Sequence, residues 1–109
     1  MIQPAVDALH NQITMLQTSI LDDAILANYL ALMISGCERT TAILHRQPPI
    51  TDAHDLCSPL NAVSGFAELL LVDEHPLTAD QRAALIAIRE EAKTLIISVK
   101  ASYGQHNHV

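Results

Sequence analysis

The sequence predicts one all-α domain. Half of its 109 residues are apolar, mostly Leu, Ala and Ile, whereas three residues are aromatic and three are glycine. This composition is typical of packed helices. Apolar residues also recur every three or four positions along most of the chain, which is the spacing of one helix face. We therefore expect a helical hairpin and a long N-terminal helical segment that together form a four-helix-type bundle.

The N-terminal segment, residues 1–47, carries one such apolar stripe. Its members are Val6, Leu9, Ile13, Leu16, Ile20, Ala27, Leu30, Ile34, Cys37 and Leu44. Asp23 lies where the stripe expects an apolar side chain. This interruption indicates either a turn between two helices or one long helix with a polar position that sets its register. We favour one long helix, for signalling or dimerisation, which ends at Pro48 and Pro49 because proline lacks a backbone N–H.

The hairpin spans residues 50–103. Its first helix begins after an N-cap at Thr51 or Asp52. We expect it to run to about Val72, with Pro76 stopping the chain beyond it and Pro59 interrupting its early turns. Its apolar face comprises Leu56, Leu60, Val63, Ala67 and Leu70.

The second helix of the hairpin has the clearest start in the sequence. Thr78 as N-cap and Gln81 three residues later form a capping box, and Asp80 lies in the first turn, where the helix dipole favours a negative charge. Gly104 is a C-terminal stop signal. The apolar face comprises Leu85, Ile88, Ala92, Leu95 and Val99.

Charge and cysteine usage exclude several classes of function. The formal net charge is −6, so the chain would repel a nucleic-acid backbone. Cys37 and Cys57 lack metal-ligand spacing and are expected to be free thiols. The pair His106 and His108 lacks a third ligand, so we predict no metal site. No signal peptide or membrane span is recognisable, which predicts a cytoplasmic protein without membrane contact.

His54 is the residue with the strongest chemical potential. A helical projection places His54, Ser58, Asn61 and Gly65 opposite the apolar face of their helix, so the imidazole should face water. A neutral, exposed imidazole has a nitrogen lone pair that can attack a phosphoryl group. Asp55 could hold the proton of the other ring nitrogen, and Ser58 could contact the phosphoryl group. From the residues alone, an ordinary solvated His–Asp pair remains the alternative.

A longer motif extends this interpretation. The run "HDLCSPLNAVSGFAELLL", residues 54–71, resembles the phosphoacceptor box of sensor histidine kinases: His, an acid, a variable residue, Arg, Ser or Thr, Pro and Leu, commonly continued as Asn-Ala-Ile-x-Gly-Phe. Residues 77–99, "LTADQRAALIAIREEAKTLIISV", resemble the second helix of the same domain. The resemblance spans about residues 52–102.

The resemblance implies a dimerisation and histidine-phosphotransfer domain, in which hairpins from two chains form a four-helix bundle. It implies that His54 is the phosphoacceptor, that Asp55 is its acid–base partner, and that Ser58 influences transfer or dephosphorylation. Two features depart from the family: Cys57 stands where arginine is usual, and Pro48 and Pro49 come unusually soon before His54. Three isolated glycines cannot build a nucleotide lid, so we expect no cofactor, no ATP binding and no autophosphorylation.

Three functions are compatible with these features. The first is a stand-alone phosphotransfer protein that exchanges phosphoryl groups with response-regulator receiver domains, or takes them from a histidine kinase, through His54. The second is a non-catalytic regulator or scaffold that binds a receiver domain or a kinase. The third is a degenerate piece of a sensor kinase. We predict a homodimer because a lone hairpin leaves its apolar face uncovered; alternatively, the N-terminal segment closes a monomeric bundle.

The remaining histidines and sulfur residues have simpler interpretations. We expect His10, His45 and His75 to lie at the surface, and Met15 and Met33 to serve packing or a partner face. Cys57 lies near a helix N-terminus, where thiols can be redox-active, but we favour an ordinary, semi-exposed thiol there.

Overall fold

The computed structural model describes residues 2–20, 22–46, 53–73 and 75–103. These residues form four α-helices: α1 (Gln3–Thr18), α2 (Ala24–Leu44), α3 (Ala53–Val72) and α4 (Ala79–Tyr103). The described residues contain no β-strand. The predicted all-α fold class is confirmed.

The N-terminal segment forms two helices, so the prediction of one long helix is wrong. The chain leaves the helical conformation after α1, and Asp23 is extended, with φ −110° and ψ 90°. Its carboxylate accepts a hydrogen bond from the backbone N–H of Leu26 at 3.0 Å, which makes Asp23 the N-cap of α2. The polar residue in the apolar stripe thus marks a helix start, because its side chain replaces the missing intrahelical acceptor.

The four helices pack in a closed ring in which each helix contacts two neighbours: α1 with α2, α2 with α3, α3 with α4, and α4 with α1. Contacts at the two ends give the directions. Gln3 of α1 donates to Thr41 near the end of α2 at 3.1 Å. At the other end, His75 before α4 contacts Asp23 before α2 at 2.6 Å. Neighbouring helices are therefore antiparallel, in a body of 49 × 23 × 18 Å.

The core follows the predicted stripes in three helices. Every stripe residue of α1, α3 and α4 is buried. In α2 the stripe is confirmed only at Leu30 and Cys37; the other buried residues are Leu26, Met33, Gly36 and Thr40. Ala27, Ile34 and Leu44 are only half-buried. The predicted stripe was continued across the turn without a break, whereas the turn restarts the helical register.

Helix ends agree with the sequence where they are described. The capping box is confirmed: the Gln81 backbone N–H donates to the Thr78 hydroxyl at 3.0 Å, and the Thr78 N–H donates to the Gln81 side chain at 2.9 Å. Pro59 does not interrupt α3, which is continuous through it. The predicted breaks and caps at residues 48–52, the stop at Gly104 and the pair His106 and His108 lie outside the described residues.

The cytoplasmic localisation without membrane contact and the homodimer remain predictions. Among the described residues, α3 is long and apolar enough by length and composition to cross a membrane, with 39% of that window buried in the bundle. Core helices commonly pass the same test, so this is weak evidence for a span. The homodimer was predicted to cover a lone hairpin, but α1 and α2 already cover the α3–α4 hairpin.

Candidate functional site

His54 lies in the first turn of α3 and is exposed, as predicted. Ser58, one turn later, is also exposed, and Asp55 is half-exposed. The opposite face of the helix, including Leu56 and Leu60, is buried in the core. The amphipathic pattern therefore orients the imidazole outward, because burying the leucines leaves His54 on the solvent side.

All three predicted site residues border one groove of about 230 Å³, which we call the His54 groove. A water molecule occupies about 30 Å³ in the liquid, so the groove can hold a polar group of several atoms. Its lining residues are Arg39, Ile43, Arg46, His54, Asp55, Ser58 and Pro59. Three of them belong to α2 and the turn after it, a part of the chain that the motif does not cover.

Arg39 and Arg46 were not among the site residues predicted from the sequence. The two arginines are seven residues apart, a spacing that places side chains on one face of a continuous helix, but α2 ends at Leu44, before Arg46. The spacing therefore gave no dependable signal. The position of both arginines beside His54 comes from the packing of α2 and the turn after it on α3.

Gly36 brings α2 close to α3 at this point. A Cβ atom at position 36 would lie 2.9 Å from the Pro59 carbonyl oxygen and 2.9 Å from a methyl group of Val63. Only glycine fits against this backbone without a shift. Arg39 follows Gly36 by one helical turn and therefore reaches the groove next to Ser58 and Pro59.

Pro59 leaves one backbone acceptor of α3 without its usual donor. In an ordinary helix the Asp55 carbonyl would accept a hydrogen bond from the N–H of residue 59, but proline has no N–H. Both residues line the groove. The lining residues also provide the Ser58 hydroxyl and the Asp55 carboxylate as acceptors, together with two cationic side chains.

Cys57, in the position where the motif usually has arginine, is buried, so the prediction of a semi-exposed thiol is wrong. Burial raises the pKa of this thiol, although Lys100 acts in the opposite direction. Cys37 is also buried, and burial, with a smaller effect from Glu38, raises its pKa to about 11. Both cysteines are free thiols, as predicted. A protonated, enclosed thiol is a poor nucleophile, so neither cysteine is a candidate site.

Cations and carboxylates are distributed unevenly over the bundle. Arg89 and Lys93 of α4 lie 3.4 Å and 3.9 Å from the carboxylate of Glu68 and are thus partly neutralised. Within the described ranges, Arg39 and Arg46 form no ion pair with a carboxylate. The His54 groove is thus lined by two arginines and one carboxylate, that of Asp55, which is an excess of positive charge in a chain whose net charge is −6.

A larger recess of about 660 Å³ lies at the opposite end of the bundle, and its lining contains two acidic residues, Asp22 and Asp23. His75 lines it and contacts Asp23 at 2.6 Å. His75 is therefore half-buried, and the prediction that it lies at the surface is wrong; His45 is exposed, as expected. Carboxylates in this recess would repel a phosphoryl group. The recess is therefore a poorer phosphoryl site than the His54 groove, although it is larger.

Comparisons with protein-family models, curated proteins and solved structures gave no match to this chain. The resemblance to the phosphoacceptor box therefore depends on the motif of residues 54–71 and the helix that follows it. In the described part of the chain, no cluster of three or more histidine, cysteine or acidic side chains could hold a metal ion.

Proposed function

We propose that the protein is a histidine phosphotransfer protein that exchanges phosphoryl groups with response-regulator receiver domains through His54, without an ATPase domain of its own. The proposal is supported by one observation above all. The exposed imidazole of His54 borders the same groove as Asp55 and Ser58, the two other residues that the phosphoacceptor motif assigns to transfer.

The chemistry needs little beyond these groups. One nitrogen of the neutral imidazole attacks the phosphorus of a receiver's aspartyl phosphate, a P–N bond forms, and the P–O bond to the aspartate breaks. The aspartate leaves as a carboxylate with the bonding electron pair. The ring becomes positively charged, and Asp55 stabilises this charge or accepts the remaining ring proton. Ser58 donates a hydrogen bond to a phosphoryl oxygen.

The first prediction concerns His54 directly. Incubation with phosphorylated receiver domains, or with the small donor phosphoramidate, should add one acid-labile phosphoryl group to His54. The substitution His54→Gln should abolish this labelling, whereas His45→Gln should preserve it, because His45 is also exposed but does not line the groove. Intact-mass measurement and fragmentation of the labelled protein locate the phosphoryl group.

Failure of His54 to be labelled by either donor, or equal labelling of the His54→Gln protein, would contradict phosphotransfer. The alternative function, a non-catalytic scaffold that binds a receiver domain or a kinase, has a distinct signature. In that case receiver binding would be detected by calorimetry, would be unchanged in the His54→Gln protein, and would occur without phosphoryl exchange.

A further inference from the structure

The motif leaves one electrostatic problem unsolved at the proposed site. A phosphoryl group carries nearly two negative charges, and the arginine usual at position 57 is replaced by a buried cysteine. We propose that Arg39 and Arg46 bind the phosphoryl group that is transferred at His54, and so supply the positive charge that position 57 lacks. This inference rests on the proposed function of His54.

The geometry supports this assignment. Arg39 and Arg46 line the same groove as His54 and Ser58, and both arginines are exposed, so their guanidinium groups can reach a ligand at its mouth. Guanidinium groups bind phosphate oxygens through two parallel hydrogen bonds, which gives them geometric selectivity as well as charge. The two cations thus come from α2 and the turn after it, whereas the proposed nucleophile, His54, lies on α3.

The close approach at Gly36 is part of the same arrangement. It holds the backbone of α2 against the Pro59 carbonyl, one residue after Ser58, and thereby keeps Arg39 at the groove. No other described cation lines this groove. Because each phosphate–arginine pair here is partly exposed, binding should weaken as salt increases.

The test compares two readouts in matched variants. The double variant Arg39→Gln/Arg46→Gln should label His54 roughly tenfold or more slowly than the wild type with phosphoramidate and with phosphorylated receivers, as expected for loss of charge-assisted hydrogen bonds. The double variant with lysine at both positions should recover part of this rate. Arg82→Gln is the control, because Arg82 is exposed but lies at the other end and contacts the Leu71 carbonyl.

The second readout is independent of transfer. Inorganic phosphate titrated into ¹⁵N-labelled protein should give saturable shifts at Arg39, Arg46 and the start of α3, and these shifts should persist in His54→Gln but disappear in the double glutamine variant. Wild-type labelling rates and unchanged phosphate binding in the double glutamine variant would overturn this inference and leave the proposed function intact. Phosphate binding without any labelling of His54 would support the arginine site while contradicting the proposed function.

Discussion

At the residue scale, Asp23 combines two structural roles. Its carboxylate caps α2 through the Leu26 N–H at 3.0 Å and contacts His75 across the end of the bundle at 2.6 Å. The pKa of Asp23 lies below its ordinary value of 3.8, first because of the hydrogen bond from Leu26 and then because of His75, with burial opposing the shift. One side chain thus starts a helix and links the two hairpins.

Asp23→Ala should lower the free energy of unfolding by roughly 1–2 kcal/mol at pH 7, because it removes the N-cap together with the His75 contact. Asp23→Asn should cost less, since an amide oxygen can still accept the Leu26 N–H. His75→Gln is the control that removes the imidazole contact with Asp23 and leaves the cap. Urea unfolding monitored by circular dichroism measures all three proteins.

The same residue predicts a pH dependence. Because the pKa of Asp23 is lower in the folded state, its charge stabilises the protein fully above pH 3.8 and ceases to do so as the pH falls through the folded-state value. The difference in unfolding free energy between the wild type and Asp23→Asn should therefore shrink in acid. Equal stability of wild type and Asp23→Ala at pH 7 would contradict both roles.

At the element scale, the contact of α2 with α3 combines packing and site geometry. Gly36 of α2 lies against the Pro59 carbonyl and Val63 of α3. Further along the same two helices, the ring of Tyr29 stacks on that of Phe66, with the ring centroids 5.7 Å apart. The glycine is needed for close approach of the two backbones, since a carbonyl oxygen cannot turn away as a side chain can. The same contact holds α2 beside the His54 groove.

Gly36→Ala should destabilise the protein by about 1–3 kcal/mol, because the added methyl group would overlap the Pro59 carbonyl oxygen. Gly65→Ala is the matched control on α3: nothing lies within 4 Å of its added methyl group, so helix propensity should stabilise it by up to about 1 kcal/mol. Thermal and urea unfolding give both values. A Gly36→Ala protein as stable as Gly65→Ala would exclude the close packing described here.

At the scale of the whole molecule, one chain supplies all four helices of the bundle. The α1–α2 hairpin covers the apolar face of the α3–α4 hairpin, which is the arrangement of the alternative prediction, a bundle closed by the N-terminal segment, and not of the favoured pairing with a second chain. The α1–α4 contact is the least extensive of the four, and a groove of about 300 Å³ there is lined mainly by apolar residues, including Met15 and Ile88. This seam is one apolar surface on which a second copy could pack.

Light scattering coupled to size exclusion should give the mass of one chain, 11.9 kDa, because the core is covered without a partner. Twice that mass would restore the predicted homodimer. In that case Met15→Glu, at the exposed edge of the α1–α4 seam, should return the protein to a single chain, and Met15→Gln would separate the effect of charge from that of polarity.

Periodicity and capping signals alone were sufficient for the fold class, for the buried faces of α1, α3 and α4, for the N-cap of α4 at Thr78 and for the exposure of His54. These features depend on residues within a few positions of each other, so local spacing encodes them. Local spacing failed at Asp23. An acidic residue in an apolar stripe is compatible with a polar core position in one long helix and with the N-cap of a new helix. Only the hydrogen bond that the Leu26 N–H donates to Asp23 distinguishes the two.

Tertiary packing alone decided what surrounds His54. The approach of α2 at Gly36, the presence of Arg39 and Arg46 in the groove and the burial of Cys57 all join residues distant in sequence. Each helix has an amphipathic face, and the packing of all four helices determines which faces contact each other. A short-range sequence pattern does not specify these contacts. His54 could thus be proposed as a nucleophile from its motif, whereas the arginines beside it required the assembled bundle.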